Sequence, residues 1–253
     1  MALPKKHKKK HKYQDEELTN EVLDQREIFA HHQRTNDSFI IKNKFQFTDI
    51  HESFLNLCLY EKTKMVLVDG PAGTAKTYIA VLAGLSLLKE KKLDRIIYIR
   101  SIVESATKSI GALPGELDEK FKPWSLPMLE KMHEIMSPAA ANKLITEEMV
   151  KCIPVNFVRG LTFHDSFVII DEAQNLTREE LTTILTRFGH NSKYIVIGDS
   201  KQKDIGKLSG FGAVLDCFKG DECANNGIHA IEFTQNEIVR SHILRFIVKR
   251  LGC

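Results

Sequence analysis

From residue 65 onward, short runs of apolar, mostly β-branched residues alternate with longer stretches of helical period. The runs cover 65–69, 95–100, 153–157, 167–171, 194–198 and 228–233. Helical patterns between them are predicted over 77–90, 127–135, 177–188 and 209–218, and a last helix ends around residue 250. Thr177-Arg178-Glu179-Glu180 has the form of a capping box, and Thr234-Gln235-Asn236-Glu237 repeats it ahead of the final helix. Upstream, residues 15–31 read as a helix, with acids in the first turn and Leu18, Val22 and Phe29 along one side. Residues 38–41 could be a short strand, and 50–60 read as a second helix. Near-continuous apolar strands alternating with helices predict an α/β fold, a mostly parallel sheet covered by helices on both faces. Ligands of such sheets sit beyond the carboxyl ends of the strands. The residues that follow each strand therefore carry the candidate chemistry.

Composition narrows the class. The chain has 253 residues, 43% hydrophobic and 27% charged, which suits a globular protein with a sizeable core. The longest apolar stretch, 81–88, is interrupted by Gly84 and Ser86 and falls far short of a membrane span, so no membrane partner is expected. The start of the chain has charge without an apolar segment behind it, unlike a secretory signal. Cys58, Cys152, Cys217, Cys223 and Cys253 are odd in number and form no CxxC pair, which predicts free thiols and a cytoplasmic setting. The net charge of +3 conceals an asymmetry: residues 1–12 hold six lysines, and the rest carries 30 basic against 33 acidic side chains. Residues 1–14 are therefore expected to be a disordered basic tail, able to hold phosphates of a nucleic acid by releasing counterions. His7 and His11 read as tail composition, not metal ligands.

Three post-strand segments stand out. Gly70-Pro71-Ala72-Gly73-Thr74-Ala75-Lys76-Thr77 follows a strand and opens a helix, the context that a phosphate-binding loop requires. Its backbone N–H groups would wrap phosphate oxygens, Lys76 would reach the β- and γ-phosphates, and Thr77 would hold Mg²⁺. Ala75 stands where the pattern has glycine, and a left-handed conformation there would cost about 1–2 kcal/mol. Asp171-Glu172 ends a fully apolar strand. Asp171 would orient Mg²⁺ and Glu172 would polarise the attacking water. That second acid, and the absence of a guanine-reading Asp from Asn142-Lys143-Leu144-Ile145, disfavour a GTPase. Gly198-Asp199-Ser200-Lys201-Gln202 follows the next strand, with Gln202 the candidate γ-phosphate sensor and Asp199 its support.

Together these segments resemble the PhoH family, related to superfamily 1 helicases, over about residues 65–250. Leu113-Pro114-Gly115-Glu116-Leu117, Asn156-Phe157-Val158-Arg159-Gly160-Leu161-Thr162, Ile169-Ile170-Asp171-Glu172-Ala173-Gln174-Asn175 and Glu237-Ile238-Val239-Arg240 also carry the likeness. The resemblance implies a RecA-like P-loop NTPase fold over 65–253, after an N-terminal helical extension over 15–64. It implies ATP and Mg²⁺ as ligands, an ATPase activity, possible RNA helicase behaviour, and assembly as a ring, expected to hold six copies. Single-stranded RNA would be met by the tail or the ring pore. The alternative is an ATP-gated ring or scaffold that recruits a partner such as a nuclease, with little turnover. Some relatives carry a fused PIN ribonuclease domain; no segment here is long enough for one, so RNA cleavage by these residues is not expected. An arginine that completes a neighbour's site is expected to be Arg240, then Arg187, then Arg100. The glutamine with which related helicases read adenine has no clear counterpart: Gln46 lies far upstream of Gly70, and His51 and Glu52 are guesses. Trp124 is read as packing in preference to base stacking.

Overall fold

The computed structural model describes residues 39–101, 117–202, 204–239 and 242–251. The predicted tail, the helix over 15–31 and Arg240 lie outside those residues. Six strands form one sheet: β1 Met65–Asp69, β2 Arg95–Arg100, β3 Val150–Pro154, β4 Ser166–Asp171, β5 Lys193–Gly198 and β6 Ile228–Glu232. Their order across the sheet is β3-β2-β4-β5-β1-β6, and every pairing is parallel. The strand carrying the phosphate loop, β1, is separated from the Asp-Glu strand, β4, by β5 alone. All three candidate segments therefore leave the sheet side by side at its carboxyl edge.

Period-two alternation divides the strand side chains between two cores. Val66, Val68, Ile96, Tyr98, Phe167, Ile169, Ile195 and Ile197 face one side. Met65, Leu67, Ile97, Ile99, Val168, Ile170, Tyr194 and Val196 face the other. The first side is covered by α1 Asp49–Leu59, α2 Lys76–Lys89, α3 Leu117–Ile135 and α4 Pro138–Thr146. The second is covered by α5 Arg178–Leu185 and α6 Phe211–Cys217 through Leu181, Ile184, Phe211 and Leu215. The short α7 Asp221–Asn225 leads into β6, and α8 His242–Leu251 ends the described chain. This is the α/β arrangement, a parallel sheet covered by helices on both faces, that the alternating pattern predicts. Residues 39–59 contribute Phe39, Ile41, Phe54 and Cys58 to the first core, so the segment ahead of β1 packs directly on α2.

Several boundaries differ from expectation, each for a local reason. The third strand lies at Val150–Pro154, not 153–157, and a 3-10 turn, Val155–Phe157, takes the remainder. Pro154 has no N–H to continue a ladder, so it ends the strand. The helix predicted from Pro127 starts at Leu117 and runs through Pro123 and Pro127. The helix α4 opens with Ser137 accepting from the Ala140 N–H and Pro138 at the first turn, a start signal passed over in the pattern. Thr234 to Glu237 does form a capping box, but it caps a 3-10 turn, Gln235–Glu237, and α8 begins at His242. Residues 39–41 carry no strand. Among the described residues no helix is long and apolar enough to cross a membrane.

Candidate nucleotide site

The phosphate loop is held from below by glycine geometry and by histidine. A Cβ on Gly70 would stand 2.6 Å from the Phe233 Cβ, so only glycine lets the loop leave β1 this close to the chain that follows β6. Ala75 takes the left-handed conformation anticipated for it, φ 58° and ψ 17°, at the start of α2. His51 is fully buried beneath the loop. The Thr48 backbone N–H donates to its Nδ1 at 3.2 Å, which leaves Nε2–H to donate to the Thr74 carbonyl at 3.2 Å. Burial holds the His51 pKa below the ordinary imidazole value, in keeping with that neutral tautomer. His51 therefore braces the loop and is not positioned to read a base.

Within the loop, the Lys76 ammonium donates to the Gly70 carbonyl at 2.6 Å, the Pro71 carbonyl at 2.8 Å and Thr74 Oγ1 at 3.3 Å. Burial lowers its pKa, and the carboxylates of Asp199, Asp171, Glu172 and Asp69 oppose that shift. Thr77 Oγ1 donates to Asp171 Oδ1 at 3.0 Å, so two hard oxygen donors from β1's loop and β4's end meet. The Tyr98 hydroxyl donates to Asp171 Oδ2 at 2.6 Å and fixes the carboxylate from the other side.

Glu172 is also left-handed, φ 55° and ψ 41°, at the start of the 3-10 turn Ala173–Asn175. Its carboxylate stands 3.5 Å from the Arg100 guanidinium and accepts from Gln174 Nε2 at 2.6 Å. Burial, and then the Asp171 charge, hold the Glu172 carboxyl above the ordinary glutamate range against the Gln174, Arg100 and Lys76 interactions. Gln174 uses its other end as well: Oε1 accepts from the Asp199 backbone N–H at 3.0 Å. Asn175 and Asp204 exchange two hydrogen bonds of 3.0 Å. Two neighbouring amides thus clasp the Asp-Glu turn to the turn after β5. Ser200 closes that turn onto β1 by donating its N–H to Asp69 Oδ1 at 2.8 Å.

These groups surround a cleft of about 360 Å³ lined by Ala72 to Thr77, Arg100, Asp171, Glu172, Asp199 and Gln202, among others. Asp199 is only 6% exposed, and its Oδ2 has no hydrogen-bond partner. A buried, unpaired carboxylate oxygen beside a buried ammonium and the Thr77–Asp171 pair fits a nucleotide triphosphate with its divalent cation. Ala72 to Thr77, which line the cleft, would hold the phosphates, and Thr77 and Asp171 would hold Mg²⁺. Gly70 and Pro71 sit under the loop and serve through their carbonyls.

Of the three predicted arginines, Arg100 lines the cleft. Arg187 does not: its carbonyl accepts from the Phe163 N–H ahead of β4, which puts it at the amino edge, opposite the cleft. Arg240 lies outside the described residues, although Val239 before it lines the cleft and donates its N–H to the Gly73 carbonyl at 3.1 Å. Trp124 falls on α3, with its side chain outside the described residues. Tyr98, Gln174, Asn175 and Asp204 were not predicted. Gln174 and Asn175 had a local signal, since both fall in the family-like stretch that follows Glu172.

Fold and loop define a nucleotide-binding P-loop NTPase domain. The chain belongs to the PhoH family, whose PhoH-like protein profile matches residues 48–251. The PhoH-like protein of Mycobacterium tuberculosis (strain ATCC 25618 / H37Rv) is 37% identical over 181 residues, 71% of this chain and 50% of that protein. That of Bacillus subtilis (strain 168) is 36% identical over 191 residues, 75% of this chain and 58% of that protein. The chain spans about half the length of the curated relatives it matches. Among solved structures, the Pyrococcus furiosus Hef helicase domain covers 74% of this chain and 38% of that one, at TM-score 0.43 and 15% identity, too loose a likeness to argue from.

Proposed function

We propose that this chain is a Mg²⁺-dependent ATPase of the cytoplasm that couples hydrolysis to remodelling of, or movement along, single-stranded RNA. The observation that carries the reading is the meeting of Thr77 with Asp171 at 3.0 Å, with Glu172 folded back into the same cleft. Held by Thr77 and Asp171, Mg²⁺ would supply positive charge to offset that of the phosphates. Lys76 exchanges its loop carbonyls for β- and γ-phosphate oxygens. Glu172, oriented by Gln174 and Arg100, positions a water and takes up its proton. Gln202 sits on the adjacent turn, where a γ-phosphate contact would be felt through Asp199. The described cysteines are free thiols, in keeping with a reducing compartment.

The proposed partners are further copies of the chain, six in a ring, and single-stranded RNA held by the basic tail or the pore. The cleft opens at the sheet's carboxyl edge, and its one described arginine, Arg100, is engaged with Glu172. A neighbouring copy would supply another, Arg240 first and Arg187 next, a contact that elsewhere is worth about 10³–10⁵ in rate.

Hydrolysis measured with and without single-stranded RNA, in wild type and in Glu172→Gln, tests the reading. Wild type is expected to turn over faster with RNA. Glu172→Gln is expected to keep ATP binding and lose roughly 10²–10⁴ in rate. A wild type that binds ATP and changes assembly state without turnover replaces this reading with the ATP-gated scaffold.

A further inference from the structure

The cleft is longer than its phosphate-handling part. Beyond the phosphate-handling residues, its lining includes Phe45 and Tyr78 and, from α3, Pro127, Glu130, Lys131 and Glu134. None of these six takes part in the chemistry above. Its volume lies within the roughly 300–1,000 Å³ of small-molecule sites.

This far end is built with care. Tyr78 is buried, and its hydroxyl accepts from the Lys44 backbone N–H at 3.2 Å and is within 3.3 Å of Asn43 Oδ1. The Lys42 N–H donates to the Ile135 carbonyl at 2.8 Å. Residues 42–45 are thereby strapped to α2 and to the end of α3, and the strap fixes Phe45. The Phe45 ring meets Tyr78 edge to face with centroids 4.6 Å apart, yet it stays half-buried and lines the cleft. In the same lining, Lys131 and Glu134 are three residues apart on α3 and form an ion pair. They set an N–H donor beside a carboxylate acceptor.

We propose that this end of the cleft is the nucleobase subsite, with Phe45 as the apolar wall for the ring and Lys131 with Glu134 at the base edge. The inference rests on the reading of the cleft as an ATP site and gives that site its base-holding residues. An aromatic side chain offers contact to any base, and a base edge carries donors and acceptors that the lysine and the carboxylate complement. The three upstream candidates do not serve. Gln46 and Glu52 are exposed and line no part of the cleft, and both ring nitrogens of His51 are engaged.

The test is calorimetry on the full chain with Mg²⁺–ATP and with Mg²⁺–tripolyphosphate, which has the phosphates and no base. Wild type is expected to bind ATP at least tenfold more tightly than tripolyphosphate. Phe45→Ala is expected to lose roughly 10–100-fold for ATP and nothing for tripolyphosphate. Equal affinities in wild type, or a Phe45→Ala loss shared equally by the two ligands with the fold intact, overturn the subsite. If wild type binds neither ligand, the phosphate loop reading fails, a result separate from failure of the base subsite. If Phe45→Ala fails to fold, Lys131→Met on the helix surface decides: the ratio of ATP to tripolyphosphate affinity should fall, and an unchanged ratio overturns the proposal.

Discussion

Two lysines are buried at opposite edges of the same sheet, and their surroundings make them different instruments. Lys76 follows β1 at the carboxyl edge and is 9% exposed; Lys193 opens β5 at the amino edge and is 7% exposed. Both ammonium groups donate to backbone carbonyls. For Lys193 these are Cys58 at 2.8 Å and Tyr60 at 2.6 Å, the carbonyl end of α1. Burial lowers both pKa values. Lys76, however, faces four carboxylates and an open cleft. Lys193 has Lys64 and Lys92 for neighbours, with Glu61 the one carboxylate acting on it among the described residues, and lines no described cleft, so it acts as a C-terminal cap on α1. Depth and hydrogen bonding do not separate a ligand-binding lysine from a structural one. The sign of the surrounding charge and access to a concave surface do.

The largest expected effect would break the comparison outright. Lys76→Ala should weaken Mg²⁺–ATP binding by at least about 100-fold, because a point charge on the phosphates is lost. Lys193→Met should leave the affinity within about twofold. Calorimetry on both variants checks this, and equal losses would show that the amino edge communicates with the cleft. Next in size is the cluster of four carboxylates that surrounds Lys76. Gln174→Leu should lower kcat by roughly 10–100-fold, the worth of a hydrogen bond to a charged group, without moving the affinity for ATP. Single-turnover hydrolysis beside equilibrium binding separates the two quantities, and an unchanged kcat would leave Gln174 a packing residue.

The pattern of legibility follows locality. The bounds of β1 and β2 agree with the apolar runs because those runs are unbroken. The third strand was placed three residues late because Lys151 and Cys152, on an edge strand, do not extend an apolar run. Pro123 and Pro127 hid the first turns of α3. The loop 70–77 and the Asp171-Glu172 pair were legible because each is contiguous. Tyr98 against Asp171, Gln174 against Asp199 and Asn175 against Asp204 were not, since each depends on which strands are neighbours. Arg187 shows the same dependence on topology. A residue that precedes a parallel strand lies at the amino edge, so Arg187 is away from its own chain's cleft and could meet only a neighbouring copy's.

A smaller effect sharpens the contrast at Lys193. Its pKa is lowered to about 8 from the ordinary 10.5. Between those values the unfolded chain binds a proton that the folded chain does not, so stability rises with pH across this window. Below about pH 8 both states are charged, and folding bears the full burial cost. Relative to Lys193→Met, wild type should gain about 1–2 kcal/mol between pH 8 and 10, against a limit of about 1.4 kcal/mol per pH unit. Denaturant unfolding of both proteins at pH 8, 9 and 10 checks this. A constant difference would mean that the two carbonyls fully offset the burial of the charge.

The smallest expected effect lies next to Lys76. Ala75 holds a left-handed backbone at the start of α2, where its Cβ crowds the following carbonyl at a cost of about 1–2 kcal/mol. Glycine would remove that strain but would enter folding from a more flexible unfolded chain, a cost of about 0.4–1 kcal/mol. Ala75→Gly should therefore stabilise the protein by less than about 1 kcal/mol, seen as a higher denaturant midpoint at unchanged slope. The helix carrying Lys76 starts from this residue, so the loop should also reach its phosphate-bound form with less resistance and bind ATP slightly more tightly. A destabilised Ala75→Gly would mean that the alanine methyl, half-buried and packed against the core under α2, contributes more than its backbone strain takes away.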